Sequence, residues 1–384
     1  MKIRDVKVLI LEGGPNPVEG YAEDNPAIEG FGGRKAQIPG KLEQLYVQVL
    51  TDDEEIDGIS PGIPSQVPRY IVRDQLKPVL IGKDPEEYES LWNQMYSSIT
   101  HSRRGEGKLA IAAVDLALWD IIGKIRGQPV YRLLGGPVQE KIQTYLATLG
   151  WNTAPESVAK HSIEGVEKGF TAFKWYLHYG PSAGIKGLNA NVELVKTFRD
   201  AVGYDVDLMI DCSRQMSLHY MLKFSRRLER YEVAWLEEPF SPEDLASYVA
   251  LSKSTSIPVA GIEHVYDRWG FKDIIEQGAC SILQPDIGWA GGITEMMKIC
   301  DLASAYGLPV VPHSNESFRA NLHLLMSRSR NVCPLQEYNP RFQANWQYFF
   351  KDRVDAEHGY AKAKSTPGLG IEFDPNKISK ITEI

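Results

Sequence analysis

Three carboxylates recur at a constant interval in the second half of this 384-residue chain. Asp211, Glu237 and Glu263 each end a short apolar run, and 26 residues separate each acid from the next. If these runs are parallel strands, their carboxyl ends share one rim and the three side chains converge there. Converging anions repel unless a cation neutralises them, and oxygen ligands favour Mg²⁺. The spacing predicts a Mg²⁺ site, although each acid alone is typical of a surface or salt-bridging residue.

A carboxylate and an imidazole end the next two apolar runs. Asp286 follows Gln-Pro and His313 follows Pro312, which places the pair on the far side of the three acids. An aspartate bonded to one ring nitrogen fixes the tautomer and raises the basicity of the other nitrogen. The pair predicts a general base, whereas His313 alone would be typical of a structural histidine.

Two further polar residues lie on the second apolar run. Lys174 and Tyr176 are two positions apart, so a strand places both on one face, away from Phe173 and Trp175. Because those neighbours are apolar, the inward orientation is favoured for both polar side chains. His264 directly follows the third carboxylate and is expected to point into the adjoining loop.

From about residue 140, apolar runs alternate with segments of helical spacing. The runs are 142–148, 171–177, 206–211, 232–238, 258–264, 281–286, 309–313 and 333–338. Helical segments between them include 189–203, 217–231 and 292–307. Strands that alternate with helices form right-handed parallel crossovers, and eight of them predict a (β/α) barrel of the α/β class.

The first part of the chain has a different pattern. Strands are predicted at 1–13 and 42–58, and helices at about 66–81, 84–98 and 107–126. This is an α+β domain, and the Leu-Leu-Gly-Gly-Pro string at 133–137 marks its end. The polar segment 13–40, with Gly-Phe-Gly-Gly at 30–33, suits a lid as well as it suits a surface loop.

Composition excludes several classes of function. There are 42 Lys and Arg residues against 50 Asp and Glu, which gives a net charge of −8 and argues against binding nucleic acid or an anionic membrane. The spacing of the four cysteines is typical of neither a metal site nor a disulfide framework, which predicts free thiols. The sequence shows neither a signal peptide nor an apolar segment of membrane-spanning length. We therefore expect a cytoplasmic protein with a small-molecule ligand.

Eight short strings carry a resemblance to a known family. They are AAVDLALWDIIGK (112–124), PVYRLLGG (129–136), MIDC (209–212), WLEEP (235–239), GIEH (261–264), QPDIGWAGG (284–292), VVPH (310–313) and PGLGIEF (367–373). Each string is weakly specific, but their order and spacing together are highly specific. The chain resembles the enolase superfamily, its mandelate racemase subgroup and, within it, acid-sugar dehydratases of the L-rhamnonate dehydratase type.

The resemblance implies a domain organisation. It implies a modified TIM-type barrel, (β/α)7β, over residues 137–354, preceded by a capping domain over 1–136. Residues 355–384 are expected to pack back on the cap, and loops around 20–33 are expected to select the substrate. The superfamily is commonly oligomeric, so a homo-oligomer is expected.

The resemblance also implies roles for the strand-end residues. Asp211, Glu237 and Glu263 would hold Mg²⁺, with the first Glu of the Glu-Glu-Pro string as the ligand. His313 would be the acid/base and Asp286 its partner. No other cofactor is implied.

For an acid sugar, an aldonate such as L-rhamnonate, the resemblance implies a dehydratase. His313 would remove the C2 proton, Lys174 and Mg²⁺ would stabilise the ene-diolate, and loss of the 3-hydroxyl would give a 2-keto-3-deoxy sugar acid. His313 itself, Tyr176 or His264 would protonate the leaving hydroxyl. Glu337, on the eighth run, would either hydrogen-bond the substrate carboxylate when protonated or form a structural salt bridge.

Two alternatives remain open at this point. A racemase or epimerase needs a second base on the opposite face, and many relatives carry Lys-x-Lys on the second strand. Here the string is Lys174-Trp175-Tyr176, which argues against two-sided proton transfer. A non-catalytic barrel that only binds a ligand would be expected to lack one of the three acids or the Asp–His pair, and all five are present.

Overall fold

The computed structural model describes residues 1–15 and 41–384, so most of the predicted lid segment, including residues 20–33, lies outside the described residues. The strands are β1 (Ile3–Pro15), β2 (Lys41–Thr51), β3 (Asp57–Ile59), β4 (Ile142–Ala147), β5 (Ala172–Tyr176), β6 (Asp207–Asp211), β7 (Trp235–Glu237), β8 (Val259–Gly261), β9 (Ile282–Leu283), β10 (Gln336–Tyr338), β11 (Tyr360–Ala361) and β12 (Lys380–Glu383). The α-helices are α1 (Pro68–Ile71), α2 (Lys77–Leu80), α3 (Tyr88–Ser98), α4 (Glu106–Ile125), α5 (Val130–Leu133), α6 (Pro155–Glu167), α7 (Gly184–Val202), α8 (Leu218–Leu228), α9 (Leu245–Ser252), α10 (Asp267–Gln277), α11 (Ile287–Ala290), α12 (Ile293–Ala305), α13 (Phe318–Met326) and α14 (Pro340–Trp346).

The N-terminal part forms an antiparallel sheet in the order β12-β1-β2-β3. Val, Ile and Leu recur along β1 and β2, and residues such as Val8 and Val47 lie opposite each other in the register. The last strand pairs with β1, with Leu9 opposite Glu383. The end of the chain is therefore part of the N-terminal sheet.

The second sheet is parallel and curls in the order β10-β4-β5-β6-β7-β8-β9. Beyond β9, Leu283 and Asp286 form isolated parallel bridges with Val310 and His313, so the curl continues toward β10. Helices connect the parallel strands along the outside. This arrangement confirms the predicted α/β fold, a modified (β/α)7β barrel with an N-terminal α+β domain.

Three predicted elements are wrong in extent. Residues 309–313 make only isolated bridges within the part of the chain that the structure describes, because Pro309 and Pro312 have no N–H to donate to a ladder. The single strand predicted over 42–58 divides into β2 and β3, because Thr51 and Asp53 accept hydrogen bonds in an intervening turn. The helix predicted over 66–81 is interrupted by a π-helical turn at Val72–Leu76.

Residues of the barrel interior alternate along each strand. The apolar cluster at its centre comprises Tyr145, Ala147, Ala172, Met209, Trp235, Ala260 and Val311. Two residues further along the same strands, the inward positions change from Ala172 to Lys174, from Met209 to Asp211 and from Trp235 to Glu237. The interior thus becomes charged at the carboxyl end, where the candidate site lies.

Helix α4 joins the N-terminal sheet to the barrel. It is buried over most of its length, and it carries two aspartates whose carboxylates bind backbone N–H groups of other segments. Asp115 accepts from Thr294 at the start of α12, and Asp120 accepts from Ile59 and Leu369. Within residues 1–15 and 41–384, no helix has the length and apolar character needed to cross a membrane.

Candidate active site

The carboxyl ends of β5, β6 and β7 place three polar residues side by side. Parallel pairing aligns Tyr176 with Asp211, and Asp211 with Glu237. Lys174 lies two residues before Tyr176 on the same strand, and its ammonium is 5.4 Å from the centre of the Tyr176 ring. The structure therefore places both Lys174 and Tyr176 in the barrel mouth beside the carboxylates.

Lys174 is the buried cation of this group. Its Nζ donates to Glu237 Oε1, lies 2.8 Å from Glu337 Oε1 and is 3.7 Å from Asp211 Oδ2. The residue is 1% exposed. Burial opposes its charged form, but Glu237 and Glu337 raise its pKa well above the ordinary value. Lys174 therefore remains an ammonium that these carboxylates surround.

Glu237 and Asp211 differ in how fully their oxygens are satisfied. Glu237 Oε2 accepts hydrogen bonds from Trp235 Nε1 at 3.0 Å and Gln284 Nε2 at 2.8 Å. Asp211 Oδ1 accepts from the backbone N–H of Ser213 at 2.8 Å. Burial and the charge of Glu237 raise the pKa of Asp211 to about 8. The positive charge around Asp211 is therefore too small to keep it fully ionised at neutral pH.

Glu263 lies just past β8 and shares a guanidinium with a neighbouring acid. Arg214 Nη1 donates to Glu263 Oε1 and to Glu238 Oε2, each at 2.8 Å. Burial and Glu263 raise the pKa of Glu238 despite Arg214. Although burial opposes its ionisation, His313, His264 and Arg214 hold the pKa of Glu263 below its usual range. Glu263 is therefore the firmly ionised member of this pair.

The predicted Asp–His pair is present at the far side of the mouth. His313 Nδ1 lies 2.7 Å from Asp286 Oδ2. Asn315 Nδ2 also donates to that oxygen at 2.9 Å, and the Gly288 N–H donates to Asp286 Oδ1 at 2.7 Å. These bonds fix the carboxylate, and the carboxylate in turn fixes the orientation of the imidazole ring.

The second ring nitrogen of His313 faces the acidic cluster. Its Nε2 lies 3.3 Å from Glu263 Oε2 and 3.9 Å from Glu337 Oε2. Burial disfavours the imidazolium, but Glu263, the hydrogen bond to Asp286 and the charge of Glu337 raise the pKa of His313 to about 10. The atom that would exchange a proton with a substrate thus points into the mouth.

His264 lies at the edge of the site. Its Nε2 is 3.3 Å from Glu263 Oε1, and its ring stacks on Trp289 with centroids 4.9 Å apart. The opposite neighbour of that indole is His313, whose ring centroid is also 4.9 Å away. His264 therefore contacts the acidic cluster and Trp289 of α11, instead of pointing into the adjoining loop as expected.

Glu337 forms the salt bridge that sequence analysis gave as one of two alternatives. Its Oε1 pairs with Lys174, and its Oε2 accepts the backbone N–H of Ser314 at 2.9 Å. Both oxygens are engaged, so the structure shows an acceptor rather than the protonated donor of the other alternative.

Sequence reasoning missed two residues of the site. Glu238 follows a predicted ligand in the Glu-Glu-Pro string, and Arg214 lies three positions after Asp211 in the following loop. Residues in a loop follow no periodicity that shows which way they point. One signal in the sequence could have identified Arg214, because it is a basic residue that closely follows a strand-end acid.

The three predicted metal ligands are on neighbouring strand ends, but their carboxylates do not surround one point. Among the described residues, no group of three or more His, Cys, Asp or Glu side chains is arranged to hold a metal ion. The three acids therefore form no metal-holding group in this arrangement of side chains, and the Mg²⁺ site stays a prediction. The reason is that Lys174 binds Asp211 and Glu237, whereas Arg214 binds Glu263.

The chemistry of the donor set nevertheless fits a hard cation. Six carboxylates line the mouth, and four basic side chains contact them: Asp211, Glu237, Glu238, Glu263, Asp286 and Glu337 against Lys174, Arg214, His264 and His313. Burial raises the pKa of Asp211, and the charges of Glu237 and Glu263 raise it further. All-oxygen donors are those that Mg²⁺ prefers, so Asp211, Glu237 and Glu263 would be suitable ligands for it.

Two family descriptions match most of the chain. The mandelate racemase/muconate lactonizing enzyme N-terminal domain matches residues 40–135. The enolase C-terminal domain-like family matches residues 158–377. Together these ranges include β2 and β3 of the N-terminal sheet and all the strand-end residues of the site.

Individual proteins are similar over nearly the same length. The chain is 33% identical to L-rhamnonate dehydratase of Saccharopolyspora erythraea, over 98% of this chain and 97% of that protein. It is 28% identical to 3,6-anhydro-D-galactonate cycloisomerase from Zobellia galactanivorans, with a TM-score of 0.81 and coverage of 99% and 100% of the two chains. An enolase superfamily member from Salmonella Typhimurium is 25% identical, with a TM-score of 0.85 and coverage of 100% of this chain and 99% of that one.

Proposed function

The chain belongs to the mandelate racemase/muconate lactonizing enzyme family of the enolase superfamily, and from this we propose that it is a hydro-lyase acting on a sugar acid. The substrate is an aldonate, such as L-rhamnonate or a related acid sugar. The reaction removes the C2 proton and the 3-hydroxyl and gives a 2-keto-3-deoxy sugar acid. The similarity to a named L-rhamnonate dehydratase over almost the whole chain supports this substrate class.

The Asp286–His313 pair is the observation that carries the proposal. Its geometry leaves His313 Nε2 directed at the mouth, where the Glu337 carboxylate lies between it and the Lys174 ammonium. A base in this position takes a proton from a carbon held between it and the ammonium. The arrangement suits proton abstraction next to a carboxylate, which is the first step of the proposed elimination.

Each polar residue of the mouth then has a chemical task. Without a metal ion, Glu263, Asp286 and Glu337 hold His313 in its protonated form, so the free base requires part of this negative charge to be neutralised, as a cation bound by Glu263 would do. The neutral Nε2 then accepts the C2 proton, and the ammonium of Lys174 places positive charge beside the ene-diolate that develops. Mg²⁺ held by Asp211, Glu237 and Glu263 would add positive charge at the substrate carboxylate. His313 returns its proton to the departing 3-hydroxyl, with Tyr176 and His264 as the competing donors.

Tyr176 argues for elimination rather than epimerisation. An epimerase needs a base on each face of the substrate, and Tyr176 occupies the position where many relatives have a second lysine. Burial raises the pKa of Tyr176 well above its usual value, so the phenol stays protonated at neutral pH. A protonated phenol donates a hydrogen bond but does not abstract a proton.

The proposal is tested by screening acid sugars for keto-acid formation. Purified protein is treated with a chelator, and Mg²⁺ is then restored or withheld in parallel samples. We expect at least one aldonate to yield a 2-keto-3-deoxy acid only where Mg²⁺ is restored. The proposal fails if the folded, Mg²⁺-supplied protein converts no aldonate, or if conversion continues unchanged in the chelated sample.

A further inference from the structure

Arg214 is a cation that occupies one of the proposed metal ligands. Its Nη1 lies 2.8 Å from Glu263 Oε1 and equally close to Glu238 Oε2. Its side chain is 27% exposed at the mouth, whereas Glu238 is buried. A guanidinium that bridges two carboxylates at these distances forms strong charge-assisted hydrogen bonds.

Both oxygens of Glu263 are engaged in the structure. Oε1 faces Arg214 and His264, and Oε2 faces His313 Nε2 at 3.3 Å. A metal ion that binds Glu263 therefore has to displace or share one of these contacts. Arg214 makes the shortest of the three, so it is the principal competitor.

The loop after β6 holds the guanidinium in this position. Ser213 and Arg214 both have left-handed backbone conformations, with φ of 55° and 62°. The backbone N–H of Arg214 donates to the Glu238 carbonyl at 2.7 Å, and that of Ser213 donates to Asp211 Oδ1. Non-glycine residues adopt this conformation at a cost that the surrounding contacts must offset. The fold thus fixes Arg214 over the acidic cluster instead of leaving it free in solvent.

We propose that Arg214 is a built-in counter-ion that occupies Glu263 in the metal-free protein and weakens the binding of Mg²⁺ there. The inference rests on the proposed function, because it takes Glu263 as a Mg²⁺ ligand. Arg214 acts through Glu263 and is a positioning residue, distinct from the groups that handle the substrate. Its positive charge lowers the affinity in two ways, by pairing with the ligand and by repelling the incoming cation.

The direction of the change in Mg²⁺ affinity follows from these charges. Arg214→Gln removes the positive charge and keeps a hydrogen-bond donor, so Mg²⁺ should bind more tightly, with Kd about tenfold lower. Arg214→Lys keeps the charge, so its Kd should stay closer to that of the wild type than to that of the Gln variant. Arg227→Gln removes an exposed arginine of α8 that bonds Asn189, and should leave Kd unchanged.

Isothermal titration of Mg²⁺ into chelator-treated protein, without substrate, measures these constants directly. Circular dichroism verifies the fold, and Arg214→Met replaces the Gln variant if the latter does not fold. The proposal is overturned if the neutral variants bind Mg²⁺ no more tightly than the wild type, or if the Lys variant binds as tightly as they do. If the wild type binds no Mg²⁺ at all, the metal assignment in the proposed function fails, and this inference fails with it.

Discussion

Lys174 is the side chain on which most of the candidate site depends. Its buried ammonium neutralises Glu237 and Glu337 and lies within 3.7 Å of Asp211. Removing one partner of a buried ion pair leaves the other charge uncompensated, at a cost of about 3 to 5 kcal/mol. The most informative variant therefore removes one carboxylate while the remaining carboxylates still pair with Lys174.

Replacing Glu237 by Gln meets that condition. The change removes one charge at constant volume, and Glu337 and Asp211 still neutralise Lys174. If Glu237 is a Mg²⁺ ligand, we expect turnover on a productive sugar acid to fall at least about 100-fold, with a near-native fold. Turnover is measured in chelator-treated protein after Mg²⁺ is restored.

The exposed Glu243, in the loop after the same strand, provides a matched control. Glu243→Gln should keep full activity under the same conditions, since its exposed side chain forms a hydrogen bond with the exposed Ser241. The ligand assignment is wrong if Glu237→Gln also retains full turnover.

His313→Asn separates binding from chemistry. Asparagine approximates the shape of the imidazole and can bond Asp286, but it cannot accept the substrate proton. We expect substrate to bind nearly as in the wild type, while turnover and exchange of the C2 proton with deuterated solvent are lost. Exchange is followed by proton NMR. His161→Asn, on helix α6, is a control that should exchange normally.

An unchanged rate of C2 exchange in His313→Asn would reassign the base to another residue. Loss of substrate binding in the same variant would instead show that His313 is needed for affinity. Only the first outcome would remove the residue from the role that its hydrogen bond to Asp286 suggests.

At the scale of elements, the positions of most of the site residues follow from the sequence. Apolar runs of period two predict where strands end, and parallel strands bring those ends to one rim. This reasoning places Asp211 and Glu237 correctly, because β6 and β7 pair in register there. It cannot place Arg214, since a loop residue points where its backbone conformation directs it.

The same reasoning does not predict how the three acids are paired. Spacing shows which acids share a rim, but it does not show which basic side chains lie between them. Lys174 and Arg214 divide the acids into two ion-paired groups. The strand predicted over 309–313 fails for a different reason, because two prolines within five residues remove the donors that a ladder requires.

Helix α4 provides a prediction at the element scale. Asp115 on this helix is buried, accepts the N–H of Thr294 at the start of α12, and is forced by burial to a pKa of about 7. The unfolded value is about 3.9, so the native state binds the proton more tightly. The resulting stabilisation is present below the unfolded pKa and is lost as pH rises through 7.

Asp115→Asn removes this titration and keeps the oxygen that accepts from Thr294. We expect the variant to gain stability relative to the wild type as pH rises from 5 to 8, by roughly 1 to 4 kcal/mol. Thermal unfolding by calorimetry at each pH measures the difference in Tm. A difference that stays constant over this range would contradict the assignment.

At the scale of the whole molecule, the two sheets have different roles. The parallel sheet positions every side chain of the proposed chemistry, and the N-terminal sheet is joined to the barrel through α4. The sequence motifs were sufficient to identify the family, because their order along the chain reflects this whole arrangement. The homo-oligomeric state, the cytoplasmic location and the substrate-selecting loop stay predictions.

The central claim is one-way elimination with His313 as the single base. The most direct measurement is proton NMR of a partly converted mixture of a productive aldonate and Mg²⁺-supplied enzyme. Because Tyr176 stays protonated and Lys174 remains an ammonium, the account predicts that 2-keto-3-deoxy acid accumulates without any C2 epimer. A C2 epimer that appears ahead of the keto acid would contradict it.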